Sequence, residues 1–366
     1  MPAPAADPGR NKVPAIQLLR ILAAATVAVL HIAYAFAEHI GTGLGLSGAF
    51  DHARAGQGAV MLFFVISGYV MVISSRALFG DPRARRVFWL RRIIRIMPPY
   101  WLATGLLVLV FLTLYPRPID LADLVRSLAL VPYWPADGGL RAIPFLWVGW
   151  TLFFEMVFYF WFGLFLVWRR EAAIAAVGVV LAALMVAGSQ VGMESAFAFT
   201  LTRPVSGMFL AGMVLALWRE RGGQAQLLWR LAALAAALLT IVMVPPPAVP
   251  DAMALDYVLW CGVPALLLAF AVLSGPIALP WPVLVNRAGD VSYALYLLHV
   301  PMAWLWLWTW PKLTRRPPFI EIGPWNYAVT ATLAALVAAW AFFTFIEKPM
   351  TLALNRGLVS PHRPQG

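Results

Sequence analysis

The sequence predicts an all-α polytopic membrane protein with about ten transmembrane helices, and three observations predict it. Of its 366 residues, 62% are hydrophobic and only 12% charged, with a mean hydropathy of +0.80. A soluble domain normally has about a quarter of its residues charged. Apolar runs of roughly the 20 residues needed to cross a hydrocarbon core fall at 14–37, 57–75, 97–115, 145–168, 172–189, 200–218, 227–244, 254–274, 291–310 and 326–346. The 17 Trp and 29 Pro also suit a bilayer, where Trp anchors interfaces and neighbouring helices tolerate Pro.

An even number of spans leaves both ends on one side, and the loops choose the side. With the N-terminus inside, 19 of the 27 Lys and Arg residues fall on the cytoplasmic side. The positive-inside rule therefore predicts a cytoplasmic N-terminus and a cytoplasmic C-terminus. Residues 1–12, rich in Pro and Ala, read as a disordered cytoplasmic tail, 13–350 as the membrane domain and 351–366 as a second cytoplasmic tail. The longest external loop, 116–144, contains a short helix-like stretch at Leu121–Leu130, and 244–251 reads as a stiff external turn. No internal repeat is evident, which argues against an inverted-repeat transporter.

Composition also excludes several chemistries. A lone Cys261 forms no disulfide within the chain and no cysteine-based zinc site. The five His include no HExxH pair or other metal-ligand spacing, so no metal is expected. The net charge of +11 lies between apolar segments rather than along one soluble face. It points to membrane lipids or an anionic cytosolic ligand, and not to nucleic acid.

Ionisable groups inside spans are functional candidates. Three stand out: Arg20 and His31 in the first span and Glu155 in the fourth. An eleven-residue spacing places Arg20 and His31 within about 20° of each other and about 16 Å apart along a helix. Between them Ala24, Val27 and Ala28 form a small-residue stripe that admits another helix or a slender ligand. This spacing suits an elongated molecule with an anionic head at Arg20 and a reactive end at His31. An intramembrane carboxylate needs a partner or a proton, and His31 is the natural partner for Glu155. His299, among aromatic neighbours, reads at least as readily as a packing residue. In RVFWLRRIIRIMPPYW (86–101), Arg91, Arg92 and Arg95 precede Pro98 and Pro99. The prolines predict an irregular helix start whose free N–H groups, with the guanidinium forks, suit phosphate. Ordinary positive-inside charge accounts for Arg83, Arg85 and Arg86.

In chain order, these segments resemble the membrane-bound acyltransferase 3 family. Arg20 and His31 match its Arg-x10-His signature, GAVMLFFVISGY (58–69) its second span, RRIIRIMPPYW (91–101) its third and WTLFFEMVFYF (150–160) its fourth. RPVSGMFLAGM (203–213), GDVSYALYLLHVP (289–301) and Glu347-Lys348-Pro349 continue the match over nearly the whole chain. The opening IQLLRILAAATVAVLH looks most like the exopolysaccharide acetyltransferase branch.

The resemblance implies transfer of an acyl group, commonly acetyl, from acyl-CoA to a carbohydrate hydroxyl at a bacterial inner membrane. Acetyl-CoA would be a donor substrate, with no permanently bound cofactor. Arg20, Arg92 and Arg95 would hold its phosphate-rich head and upper arm. His31 would act as general base or on the route to a transient acyl-His, with Glu155 orienting its ring. Trp150 and nearby aromatics would shape a sugar platform. The extracytoplasmic hydrolase-like domain of some relatives is absent from this sequence, which implies either a separate polysaccharide-biosynthesis partner or transfer by the chain alone. A transporter or flippase for a lipid-linked sugar is the competing class. It explains the many spans and buried charge but not the Arg–His spacing.

Overall fold

The computed structural model describes residues 13–39, 52–134, 143–192, 194–247, 254–314 and 323–359. Among them the secondary structure is helical, with no strand. In chain order the helices are α1 (Pro14–His39), α2 (His52–Ser74), α3 (Ala84–Thr113), α4 (Leu121–Leu128), α5 (Trp150–Phe165), α6 (Arg170–Ala187) and α7 (Ala196–Leu201). They continue as α8 (Gly207–Glu220), α9 (Leu227–Met243), α10 (Leu255–Leu273), α11 (Pro282–Thr314), α12 (Gly323–Phe342) and α13 (Lys348–Val359). A 3-10 turn, Trp147–Gly149, precedes α5, and a π turn, Phe343–Glu347, joins α12 to α13. The expected tail at 1–12 lies outside the described residues, as do parts of the 116–144 loop, the 244–251 turn and the second tail.

Nine helical segments among the described residues are long and apolar enough to cross a bilayer. The tenth expected segment is α9, whose 17 residues give about 26 Å, at the short end of what a span needs. The protein is a polytopic helical membrane protein. In the long loop, α4 forms where the helix-like stretch was expected, and the Asp120 carboxylate caps it by accepting the Asp123 N–H at 2.9 Å.

The expected helix start at Pro98–Pro99 is not there. Helix α3 runs unbroken through both prolines. A proline inside a helix removes an N–H and leaves a carbonyl four residues earlier without its partner. Here those carbonyls belong to Ile94 and Arg95, so the site presents acceptors instead of phosphate-binding donors. The neighbouring Ile96 carbonyl accepts a hydrogen bond from the Tyr293 hydroxyl of α11 at 2.9 Å. Surrounding helices make the continuous path tolerable in lipid.

Close packing sets the bundle. Helices α2 and α8 meet most extensively, because a Cβ on Gly68 would strike the Phe209 carbonyl and one on Gly212 the Val65 carbonyl. Small residues at both sides of one crossing let the backbones touch. Helix α1 packs along α11 in parallel, with Gln17 against Gly289 at one level and His31 against His299 further along. Ala24, Val27 and Ala28 are fully buried, so the stripe serves helix packing. A buried arginine that sequence reading passed over, Arg54 of α2, closes the end of α9. Its guanidinium donates to the carbonyls of Thr240, Ile241 and Val244 at 2.8–2.9 Å and of Trp260 at 3.2 Å. It also lies 4.4 Å from the Trp260 ring centre.

Candidate active site

Two separate cavities carry the ionisable residues. The larger, the arginine chamber, encloses about 820 Å³ including its open end. Arg20 of α1, Ser67 of α2, Arg95 of α3, Glu155 and Tyr159 of α5, and Tyr293 and Tyr296 of α11 are among its walls. It grades from the exposed Arg95 to the buried Tyr296. Glu155 and Tyr159 lie four apart on α5, hence on one face. The Glu155 carboxylate accepts hydrogen bonds from the Tyr159 hydroxyl and from Ser67 at 3.1 Å. Glu155, Asp290 and Arg95 are near enough to act electrostatically on Arg20. Among the described residues neither Arg20 nor Arg95 makes a hydrogen bond or ion pair. Two such guanidiniums facing one cavity suit an anion, because Arg forks match phosphate and carboxylate oxygens.

Arg92 stands beside this chamber and does not line it. Its guanidinium donates to Ser74 at 3.3 Å and lies over the Phe88 and Tyr159 rings at 5.3 and 5.4 Å. Glu347, at the end of the π turn, is buried with one carboxylate oxygen unpartnered, and it acts electrostatically with Arg95, Arg20 and Asp290.

The second cavity, the histidine chamber, spans about 380 Å³ including its open end. His31 and His299 share it with Phe36, Trp147, Trp304 and Tyr327. The His31 Nδ1 is 3.2 Å from His299 Nε2, and His299 Nδ1 is 3.2 Å from the Leu295 carbonyl. A neutral imidazole has one N–H and one lone pair. The Leu295 carbonyl can only accept, so His299 carries its proton on Nδ1. Its Nε2 is then the acceptor, and the His31 Nδ1–H donates to it. The basic nitrogen of His31 is therefore Nε2. This chain of hydrogen bonds fixes tautomer and ring orientation, as a carboxylate does in a conventional triad.

The expected pairing of Glu155 with His31 is corrected by this geometry: His299 faces His31, while Glu155 lies in the other chamber, held by Ser67 and Tyr159. Helix periodicity explains the difference. His31 lies three turns beyond Arg20 along α1, and Glu155 comes to the level of Arg20. On α11, steps of three residues from Tyr293 to Tyr296 to His299 lag by about 60° each, which carries that helix from one chamber to the other. Trp150 is likewise placed elsewhere, packed edge-on against Phe64 and Phe154. Trp147, three residues earlier, lines the histidine chamber together with Trp304. Sequence reading missed Ser67, Tyr159 and Tyr296 as site residues. The four-residue spacing of Glu155 and Tyr159 and the three-residue spacing of Tyr293, Tyr296 and His299 were the available signals.

The sequence profile of the acyltransferase 3 family, described as an acyltransferase domain, matches residues 13–344. The chain belongs to this family. It is a multi-pass membrane acyltransferase. It is similar to the exopolysaccharide production protein ExoZ of Rhizobium meliloti (strain 1021), with 36% identity over 256 residues. That alignment covers 68% of this chain and 77% of the relative. No solved structure matches the chain.

Proposed function

We propose that this acyltransferase moves an acyl group, acetyl in the first instance, from acyl-CoA to a hydroxyl of an exported or cell-surface carbohydrate. The observation that carries the reading is the pair of guanidiniums, Arg20 and Arg95, in the wide chamber. Coenzyme A has a phosphate-rich head and a long thin arm ending in a thioester, which suits a cavity graded from charged to aromatic. Arg20 and Arg95 hold the head and upper arm, with Arg92 alongside. The thioester carbonyl then faces the histidine chamber, where Trp147, Trp304 and Tyr327 offer flat faces of the kind sugars pack against. The exopolysaccharide name of the relative supports a carbohydrate acceptor. The excess of basic residues supports cytoplasmic ends and a cytoplasmic donor side, and the source of the relative, Rhizobium meliloti, supports a bacterial inner membrane.

In the proposed step, His31 Nε2 takes the proton of the acceptor hydroxyl as its oxygen attacks the thioester carbonyl. The carbon–oxygen bond forms and the carbon–sulfur bond breaks. The departing sulfur receives the proton, leaving free coenzyme A and an ester. His299, accepting from His31 Nδ1–H, stabilises the transient imidazolium. Glu155 holds Tyr159 and Ser67 in the donor wall and balances the charge of Arg20.

The test is thiol release by purified full-length protein supplied with acetyl-CoA and de-esterified polysaccharide from a host lacking the gene, with mass spectrometry of the glycan product. His31→Ala should lower turnover by more than about 100-fold while leaving insertion unchanged. Turnover within a few-fold of wild type removes His31 from the mechanism. Glycan acylation without acetyl-CoA consumption removes the donor.

A further inference from the structure

Among the described residues the two chambers share no wall residue, yet three stretches of the chain line both. On α1, Arg20 lines one and His31 the other. Thr151 of α5 lines the arginine chamber, and Trp147, four residues earlier in the 3-10 turn, lines the histidine chamber. Tyr296 of α11 closes the arginine chamber three residues before His299 opens the other. We propose that Tyr296 is the partition between the chambers and that its ring sets the largest acyl group deliverable to His31. The inference rests on the acyl-CoA reading given above.

The side chain is built to stand still in that position. Its hydroxyl donates to the Val148 carbonyl at 2.9 Å and shares a second hydrogen bond with the Thr151 hydroxyl at 2.9 Å. Both partners belong to the 3-10 turn and the first residues of α5, so the latch ties α11 across to that irregular stretch. The Phe63 ring meets Tyr296 edge-on at 5.7 Å on the arginine side. The His299 ring lies 6.1 Å away on the histidine side. A thioester carbonyl that reaches the His31-activated hydroxyl must pass this ring. A two-carbon acyl group asks least of the ring, whereas each further methylene must displace it or the Thr151 latch. Pocket walls discriminate by about 10- to 200-fold per methylene when the fit is tight.

The experiment measures thiol release by the full-length protein in nanodiscs from acetyl-, butyryl- and hexanoyl-CoA. De-esterified polysaccharide from a host lacking the gene serves as acceptor, and wild type is compared with Tyr296→Ala, Tyr296→Leu and Tyr296→Phe. The ratio of hexanoyl to acetyl kcat/KM should rise about tenfold or more in Tyr296→Ala. Tyr296→Phe, which keeps the ring and loses the latch, should show a smaller rise. An active Tyr296→Ala enzyme with the wild-type ratio overturns the partition. Should Tyr296→Ala fail to fold, the same comparison on Tyr296→Leu decides. No thiol release from any acyl-CoA by wild type itself overturns the donor reading and the partition together, and this is distinct from a defect seen in the variants alone.

Discussion

Replacing His299 with alanine removes the acceptor of the His31 Nδ1–H and leaves the arginine chamber untouched. In the ground state this deletes one neutral hydrogen bond, at 3.2 Å. In the transition state His31 carries a positive charge, so the lost bond is charge-assisted and contributes about 1.5–3 kcal/mol. At 1.36 kcal/mol per factor of ten, kcat should fall about 10- to 160-fold. The donor KM should stay put, because His299 does not line the arginine chamber. Groups that act as one unit are non-additive. The double variant with His31→Ala should therefore be scarcely worse than His31→Ala alone. His299→Gln, which can still present a carbonyl to the Nδ1–H, should recover part of the loss. The assay is acetyl-CoA thiol release under saturating donor, with the fold of each variant checked by its thermal transition in detergent. A His299→Ala enzyme within twofold of wild type, or losses that multiply in the double variant, would refute the histidine pair as a unit.

Arg95→Ala should raise the acetyl-CoA KM by about tenfold or more, increasingly so with salt, since it removes a charge-assisted contact. Arg92→Ala should raise it less, because Arg92 is already engaged by Ser74, Phe88 and Tyr159; equal effects in titrations of donor concentration would contradict the placement. Glu155→Gln should act on donor handling, and combined with His299→Ala its loss in kcat/KM should multiply to within about 0.5 kcal/mol. A double variant no worse than either single one would restore the carboxylate to the histidine unit. Arg54→Ala should lower stability by about 3 kcal/mol, read as an earlier thermal transition in detergent, because the end of α9 loses its guanidinium cap. Arg54→Lys should rescue little, since an ammonium lacks the fork that reaches four carbonyls.

The span positions were legible because long apolar runs must become helices in lipid, whatever their neighbours. The alignment of Arg20 and His31 on α1 was legible for the same reason: both lie on one helix, and its period fixes their angle. The partner of His31 was not. Periodicity within α5 gives no rotation of that helix about its axis relative to α1. That rotation is set by packing, including the aromatic stack of Phe158 on Phe209 at 4.4 Å, and it turns Glu155 toward Ser67. The aromatic neighbours that made His299 look like a packing residue include Tyr296, which tilts against its ring. Pro98 and Pro99 misled in another way: the rule that proline breaks helices comes from water, where freed backbone groups are solvated and the break costs little. Within the bundle, the continuous helix wins.

That unbroken α3 has a consequence for where its arginines lie. Thirty residues of helix extend about 45 Å, some 15 Å more than the hydrocarbon thickness of about 30 Å. The surplus amounts to roughly ten residues, and the N-terminal end of α3 holds Arg85, Arg86, Arg91 and Arg92. This end stands in the headgroup layer as a rigid extension of the same rod that carries Arg95 into the chamber. A basic collar of this kind suits the phosphates of anionic lipids. One stiff helix thereby joins that basic collar to the Arg95 wall of the chamber.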